Sequence, residues 1–232
     1  MTNEQIHEVA QKLRLETVRM VYEGKDGHPG PALSIADIIA TLYFQEMNID
    51  PQNPQWPDRD RLILSKGHSC PVLYAALNER GYFQPKVEHF RLRQLHSMFQ
   101  GHPSMHNTPG LDMTSGSLGN GIAIGAGMAF AAKVQGKDYT TYVICGDGEL
   151  QEGVCWEGIN MATGRKLLAG IPRRSTAMIS RPSAPPSPSP SPTKEAPAAS
   201  SVTALRARAS AIWKTTMRGI RACPLMRNTP LP

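Results

Sequence analysis

The chain has 232 residues, enough for one domain or one domain plus a tail. Its net charge of +6 is unevenly spread: residues 163–232 hold 12 of the 25 Lys and Arg but one of the 19 Asp and Glu, and the remainder carries a net −5. The basic excess therefore belongs to the tail and gives no reason to expect nucleic-acid binding by the folded part.

The amino terminus, Met1-Thr2-Asn3-Glu4-Gln5, has neither the basic start nor the apolar core of a signal peptide. The longest apolar run, Ile122–Ala132, is eleven residues, and crossing a bilayer takes about 20; no membrane partner is expected. Cys70, Cys145, Cys155 and Cys223 form no C-x-x-C pair, which argues against a disulfide scaffold and fits a cytoplasmic location.

In chain order, Ile6, Val9, Leu13, Thr17, Met20 and Val21 recur at helical spacing and predict an amphipathic helix over 4–22. Ser34 followed by Asp37 reads as a variant capping box opening a second helix through Ile38, Ile39, Leu42 and Tyr43. Pro51, Pro54 and Pro57 mark 50–60 as a loop. Arg61–Ser65 reads as a short buried strand, followed by a Gly67-His68 turn and a helix from Pro71 to Arg80. A further helix is expected over 85–99, then an irregular stretch to Thr114.

Residues 118–134 are helical in pattern but contain Gly119, Gly121, Gly125 and Gly127. Each interior glycine costs a helix about 0.5–1 kcal/mol relative to alanine. Their retention implies a close approach, either to a cofactor or another subunit, or to a neighbouring helix. A β-rich run, Thr140–Cys145, then delivers Gly146-Asp147-Gly148, a carboxylate presented at a strand tip between two flexible residues. A hard oxygen ligand in that position suits Mg²⁺, which is usually held jointly by protein and phosphate oxygens. Strands alternating with helices predict an α/β fold with a parallel sheet, flanking helices and ligands at the carboxyl ends of the strands.

Five ordered motifs extend this reading: Asp26-Gly27-His28-Pro29-Gly30, Ser65-Lys66-Gly67-His68, Gly101-His102-Pro103, Ser115-Gly116-Ser117-Leu118-Gly119-Asn120-Gly121 and Gly146-Asp147-Gly148-Glu149-Leu150-Gln151-Glu152-Gly153. Together they resemble the amino-terminal, thiamine-diphosphate-binding region of transketolases, above all the short amino-terminal subunit of the split, two-chain forms. The resemblance covers about residues 5–162. It implies a partial thiamine-diphosphate-binding domain over 1–162 and thiamine diphosphate and Mg²⁺ as cofactors. It further implies sugar-phosphate substrates, a homodimer partner and a carboxy-terminal transketolase subunit.

Residue by residue, it implies that Asp147 ligates the metal and that Gly148 contacts the diphosphate through its backbone, with Gly146 and Glu149 in the same cofactor motif. His28, His68 and His102 would line the funnel to the thiazolium ring, binding substrate hydroxyls, moving protons or, for His68, touching the diphosphate. Gly116, Ser117 and Leu118 match the loop against the pyrimidine ring, Ser117 standing where many full-length members have proline. Glu152 matches a carboxylate at the dimer interface. A zinc site from Cys70, His102 and His106 fits no usual ligand spacing, and Gly119-x-Gly121-x-x-x-Gly125 lacks the strand and spacing of a dinucleotide fingerprint.

After Ala162 the composition changes. Eleven of the 20 prolines fall in 163–232, around a Pro/Ser repeat at 181–192, and this basic stretch is expected to be a disordered tail, with a transient helix over 202–222. The resemblance implies an asparagine, the second metal ligand, about one helix and one strand beyond Asp147; residues 172–177 contain none. Such a switch at one point is what a shifted reading frame or a truncation leaves, and an unfinished sheet would expose an edge that favours association. Three functions follow as expectations: a cofactor-binding transketolase component inactive alone, a non-catalytic remnant, or a binding module whose Pro/Ser-rich basic tail attracts acidic or Pro-recognising partners.

Overall fold

The computed structural model describes residues 1–168 in full and, beyond them, the backbone of Ala177–Ser180. Helix α1 spans Asn3–Gly24 and starts at a capping box in which Thr2 Oγ1 accepts the Gln5 N–H (3.2 Å) and Gln5 Oε1 accepts the Thr2 N–H (2.8 Å). Ile6, Ala10, Leu13, Thr17 and Met20 form its buried face, in the period the sequence predicts. Helices α2 (Pro29–Leu33) and α3 (Ala36–Thr41) follow, with a π-helical turn over Leu42–Glu46.

The expected Ser34 cap does not form. Ser34 ends α2, and its hydroxyl donates to the Pro31 carbonyl (2.9 Å), while Asp37 is drawn to Arg14 of α1. The ion pair with a neighbouring helix has displaced the local cap.

Strand β1 (Arg61–Leu64) leads through a 3-10 turn, Gly67–Ser69, into α4 (Cys70–Arg80), whose residues from Cys70 to Asn78 are all buried. Helix α5 (Asn120–Gln135) leads into β2 (Thr141–Ile144), then a 3-10 turn over Gly148–Gln151 and α6 (Gly153–Gly164). β1 and β2 pair in parallel, Arg61 opposite Thr141 and Leu64 opposite Ile144. Alternation along the two strands separates the layers. Leu62, Leu64 and Ile144 pack in the cluster built by α1, α3 and α4, whereas Ile63 and Val143 pack with Ile122 of α5 and Cys155 and Ile159 of α6. The result is an α/β/α sandwich with the carboxyl ends of both parallel strands on one rim.

A further expectation changes. No helix forms over 85–99. Arg91, Arg93 and His96 adopt left-handed backbone angles (φ 48°, 58° and 62°), and the stretch folds as irregular turns. Its buried side chains are Phe90, Leu92 and Phe99, a spacing that fits no helical face; the ring of Phe99 instead meets Tyr74 (5.2 Å) and Phe90 (4.9 Å) edge-on. Strand β3 (Ala177–Ser180) runs antiparallel along the far edge of β2. The Pro/Ser repeat and the 202–222 helix lie outside the described residues.

Candidate functional site

The rim at the ends of β1 and β2 gathers most of the sequence motifs. His28 precedes α2, and its ring meets that of His68, in the turn after β1, edge-on with centroids 5.2 Å apart. Burial, then the neighbouring His28, Lys66 and His102, hold the His68 imidazole below its ordinary protonation range, with Glu149 opposing. Burial, then Arg93 and His28, do the same at His102. The three imidazoles, from motifs far apart in sequence, therefore lie close enough to influence one another, and His68 and His102 are biased toward the neutral state that can both donate and accept a hydrogen bond.

Gly116 lies against the His102 ring, where a Cβ would come within 3.4 Å of Cγ. Gly116 and Ser117, with Met113, Thr114, Ser115, Asn120 and Ile124, line a hollow of about 260 Å³. Leu118, 38% exposed, stands beside it. On the β2 side, Asp147 is exposed at the strand tip, and a side chain at Gly148 would meet nothing within 4 Å, so this turn opens outward. Glu152 is exposed at the start of α6.

Glu149 points the other way. It is 4% exposed, and its Oε1 accepts the Gly119 N–H (2.6 Å) and the Ser65 hydroxyl, while Oε2 accepts the Gly146 N–H (2.8 Å). Ser65 Oγ in turn accepts the Gly121 N–H (3.1 Å). One carboxylate thus ties the end of β1, the entry to α5 and the Gly-Asp-Gly turn. Gly119, at φ +88°, has room for no side chain: a Cβ would lie 2.6 Å from Val154 Cγ1.

Lys66 belongs to one of the sequence motifs but has no role legible there. Its ammonium is nearly buried, donates to the Pro31 carbonyl (3.1 Å) and reaches Ser34 Oγ (3.5 Å), while its Cδ is 3.7 Å from where a Gly146 Cβ would sit. It spans from the Asp147 turn to the helix that follows His28. Burial lowers its pKa, and Asp147 and Glu149 push back. Arg93 reads in the sequence as one more charge on an expected helix; only its place between two His-Gly motifs hints at a role. Cys70 is no metal ligand here. Its thiol faces the carbonyls of Gln100 (3.4 Å) and Gly101 (3.3 Å), and burial pushes it up to about 12.

Comparison with known proteins fits this geometry. The profile of the transketolase, thiamine diphosphate binding domain matches residues 5–171. The chain belongs to this transketolase family. It is 46% identical over 159 residues to the 6-deoxy-6-sulfo-D-fructose transketolase subunit of Clostridium sp. (strain MSTE9), covering 68% of this chain and 56% of that one. It is 38% identical over 173 residues to an apulose-4-phosphate transketolase subunit of Phocaeicola vulgatus, covering 74% and 61%. Among solved structures it resembles the transketolase of Campylobacter jejuni, with a TM-score of 0.62 and 37% identity over 68% of this chain and 26% of that one. The chain thus spans little more than half the length of these subunit relatives and about a quarter of the full-length transketolase.

Proposed function

We propose that this chain is the amino-terminal, cofactor-binding component of a transketolase, acting on sugar phosphates once a carboxy-terminal transketolase subunit completes the site. The observation that carries the reading is the convergence of His28, His68 and His102 beside an outward-opening Gly146-Asp147-Gly148 turn. Thiamine diphosphate, when bound, supplies the electron sink for moving a two-carbon ketol unit. The residues present suit its diphosphate: open backbone at Gly148 lets phosphate approach closely, and Lys66 supplies fixed positive charge beside the same turn. Gly116, Ser117 and Leu118 form the wall assigned to the pyrimidine ring. Gly146 and Glu149 belong to this cofactor site as the residues that hold the turn in shape.

The three imidazoles bind substrate hydroxyls and exchange protons with them. Histidine fits that work when it is neutral near pH 7, and burial with neighbouring cations favours neutrality at His68 and His102. Magnesium is less well provided for. Among the described residues no group of three His, Cys, Asp or Glu side chains could hold a metal, so Asp147 needs diphosphate oxygens and ligands from elsewhere to complete octahedral coordination.

The domain is proposed to occupy the first 162 residues or slightly more, with the basic tail after it; Glu152 and the exposed side chains near it form the homodimer contact. A cytoplasmic location fits three buried, free cysteines, and among the described residues no helix is long and apolar enough to cross a membrane. Calorimetric titration of thiamine diphosphate with Mg²⁺ into the purified chain, first by itself and then with a carboxy-terminal subunit, tests the reading. Saturable binding, with ketol transfer in the presence of the second subunit, is expected. Absence of both leaves a non-catalytic remnant or a tail-mediated binding module.

A further inference from the structure

Arg93 sits at a left-handed backbone angle, φ 58°, which costs a non-glycine residue about 1 kcal/mol. Its Nη1 donates to Asp26 Oδ2 at 3.0 Å, two residues before His28. The flat of the same guanidinium lies on Gly101, immediately before His102, so closely that a Cβ there would be 2.5 Å from Nε and 2.7 Å from Cζ. The segment is anchored on both sides: the Arg93 N–H donates to the Phe99 carbonyl (2.9 Å), and Leu92 packs against Gly24 and Gly27. Arg93 Nε is buried without a hydrogen-bond partner, so shape rather than full polar satisfaction keeps the group there.

We propose that Arg93 is the positioning residue of the imidazole cluster: one guanidinium pins the turn that carries His28 to the turn that carries His102. The proposal rests on reading that cluster as the site, as argued above. A lysine cannot replace it fully, because the fork must reach Asp26 while the plane covers Gly101. The fixed cation also acts on His102 through space. After burial it is the leading cause of that ring's depressed pKa, followed by His28. The other titratable groups on the elements around His102 are His68, which feels the His102 ring, Tyr74 and Cys70 of α4, whose hydrogens go to the carbonyls of His102 and Gly101, and Asp26, already paired with Arg93.

Histidine ring resonances of the unliganded full-length chain, followed by NMR across a pH titration, test this. In Arg93→Met the His102 midpoint rises, because the neighbouring cation is gone, and the His28 signals move. In Arg93→Lys the His102 midpoint stays low, because the charge remains, while the His28 signals still move. Asp26→Asn serves if Arg93→Met does not fold, since Asp26 is 57% exposed; it displaces the His28 signals by releasing the clamp. An unchanged His102 midpoint in a folded Arg93→Met chain, or unchanged His28 and His102 signals in Asp26→Asn, overturns the proposal. No cofactor is present, so a failure to bind thiamine diphosphate, which would sink the functional reading, leaves this result interpretable.

Discussion

A buried carboxylate is tolerated only where its donors are in place, and Glu149 has three. Its two oxygens each face a backbone N–H, of Gly119 and Gly146, which cannot turn away. An amide has one acceptor and one donor end, so Glu149→Gln must point an NH₂ at one of them. We expect a loss of about 1–3 kcal/mol in urea unfolding despite the near-identical shape, and weaker thiamine diphosphate binding because the Gly146 turn loses its tether. Unchanged unfolding would mean the carboxylate is replaceable. The sequence shows only that Glu149 follows Asp147 by two residues; direction depends on the 3-10 turn at Gly148–Gln151, which turns one carboxylate outward and the other inward. The imidazoles give a second prediction. His68 and His102 have folded-state pKa values below the ordinary 6.5. The unfolded chain therefore binds more protons, so stability is full above that value and falls as the pH drops below it. Urea midpoints measured from about pH 7.5 down to about pH 5.5 should decline, and the decline should shrink when both residues are replaced by Gln. Glu23 and Glu79, lowered from 4.5, stay ionised over this window and do not confuse it.

At the scale of elements, the glycines of α5 divide by what they face. A Cβ on Gly121 would lie 2.4 Å from Ser65 Cβ and 2.9 Å from its Cα, and one on Gly125 would lie 2.5 Å from Val143 Cγ2; these glycines let the helix lie down on the sheet. Gly158 of α6 does the same for α5, where a Cβ would be 2.9 Å from the Ala123 nitrogen. Gly121 and Gly125 thus serve close packing, but against the sheet rather than against the neighbouring helix the sequence suggests. Gly127 has nothing within 4 Å. Gly121→Ala should therefore destabilise by about 1–3 kcal/mol through overpacking, whereas Gly127→Ala should stabilise by about 0.5–1 kcal/mol. Thermal unfolding of the pair checks both signs; the same sign for both would refute the division. Regular elements were legible for a physical reason: α1 carries an unbroken helical stripe, and β1 and β2 are short apolar runs ended by glycine turns. Residues 85–99 were not, because their apolar side chains answer to Tyr74, a long-range partner, and left-handed angles at Arg91, Arg93 and His96 have no signature in residue type. Ser34 misled for a similar reason: Arg14, 23 residues before Asp37, outcompetes the local cap.

At the scale of the whole molecule, the described residues bury both faces of β1 and β2 but leave apolar side chains on the α5–α6 side exposed. Leu118 (38%), Ile124 (39%), Trp156 (52%) and Met161 (40%) are all exposed, close in sequence to Glu152 and to the lining of the hollow. Trp156 is fixed in that position by its indole N–H, which donates to the Leu150 carbonyl (2.8 Å). Ordered, exposed aromatic side chains are the usual anchors of protein interfaces. A second route to association exists in principle through the sheet, but β3 covers the far edge of β2. The two routes predict different variants. If the helical face is the contact, the chain self-associates in sedimentation equilibrium and Trp156→Glu weakens that association by tenfold or more, while thermal unfolding of the diluted chain changes by no more than the loss of one exposed hydrogen bond, about 0.5–1.5 kcal/mol. If strand edges are the contact, Trp156→Glu changes nothing, and removing residues 177–180 increases association instead. A chain that remains monomeric at every concentration tested rules out both.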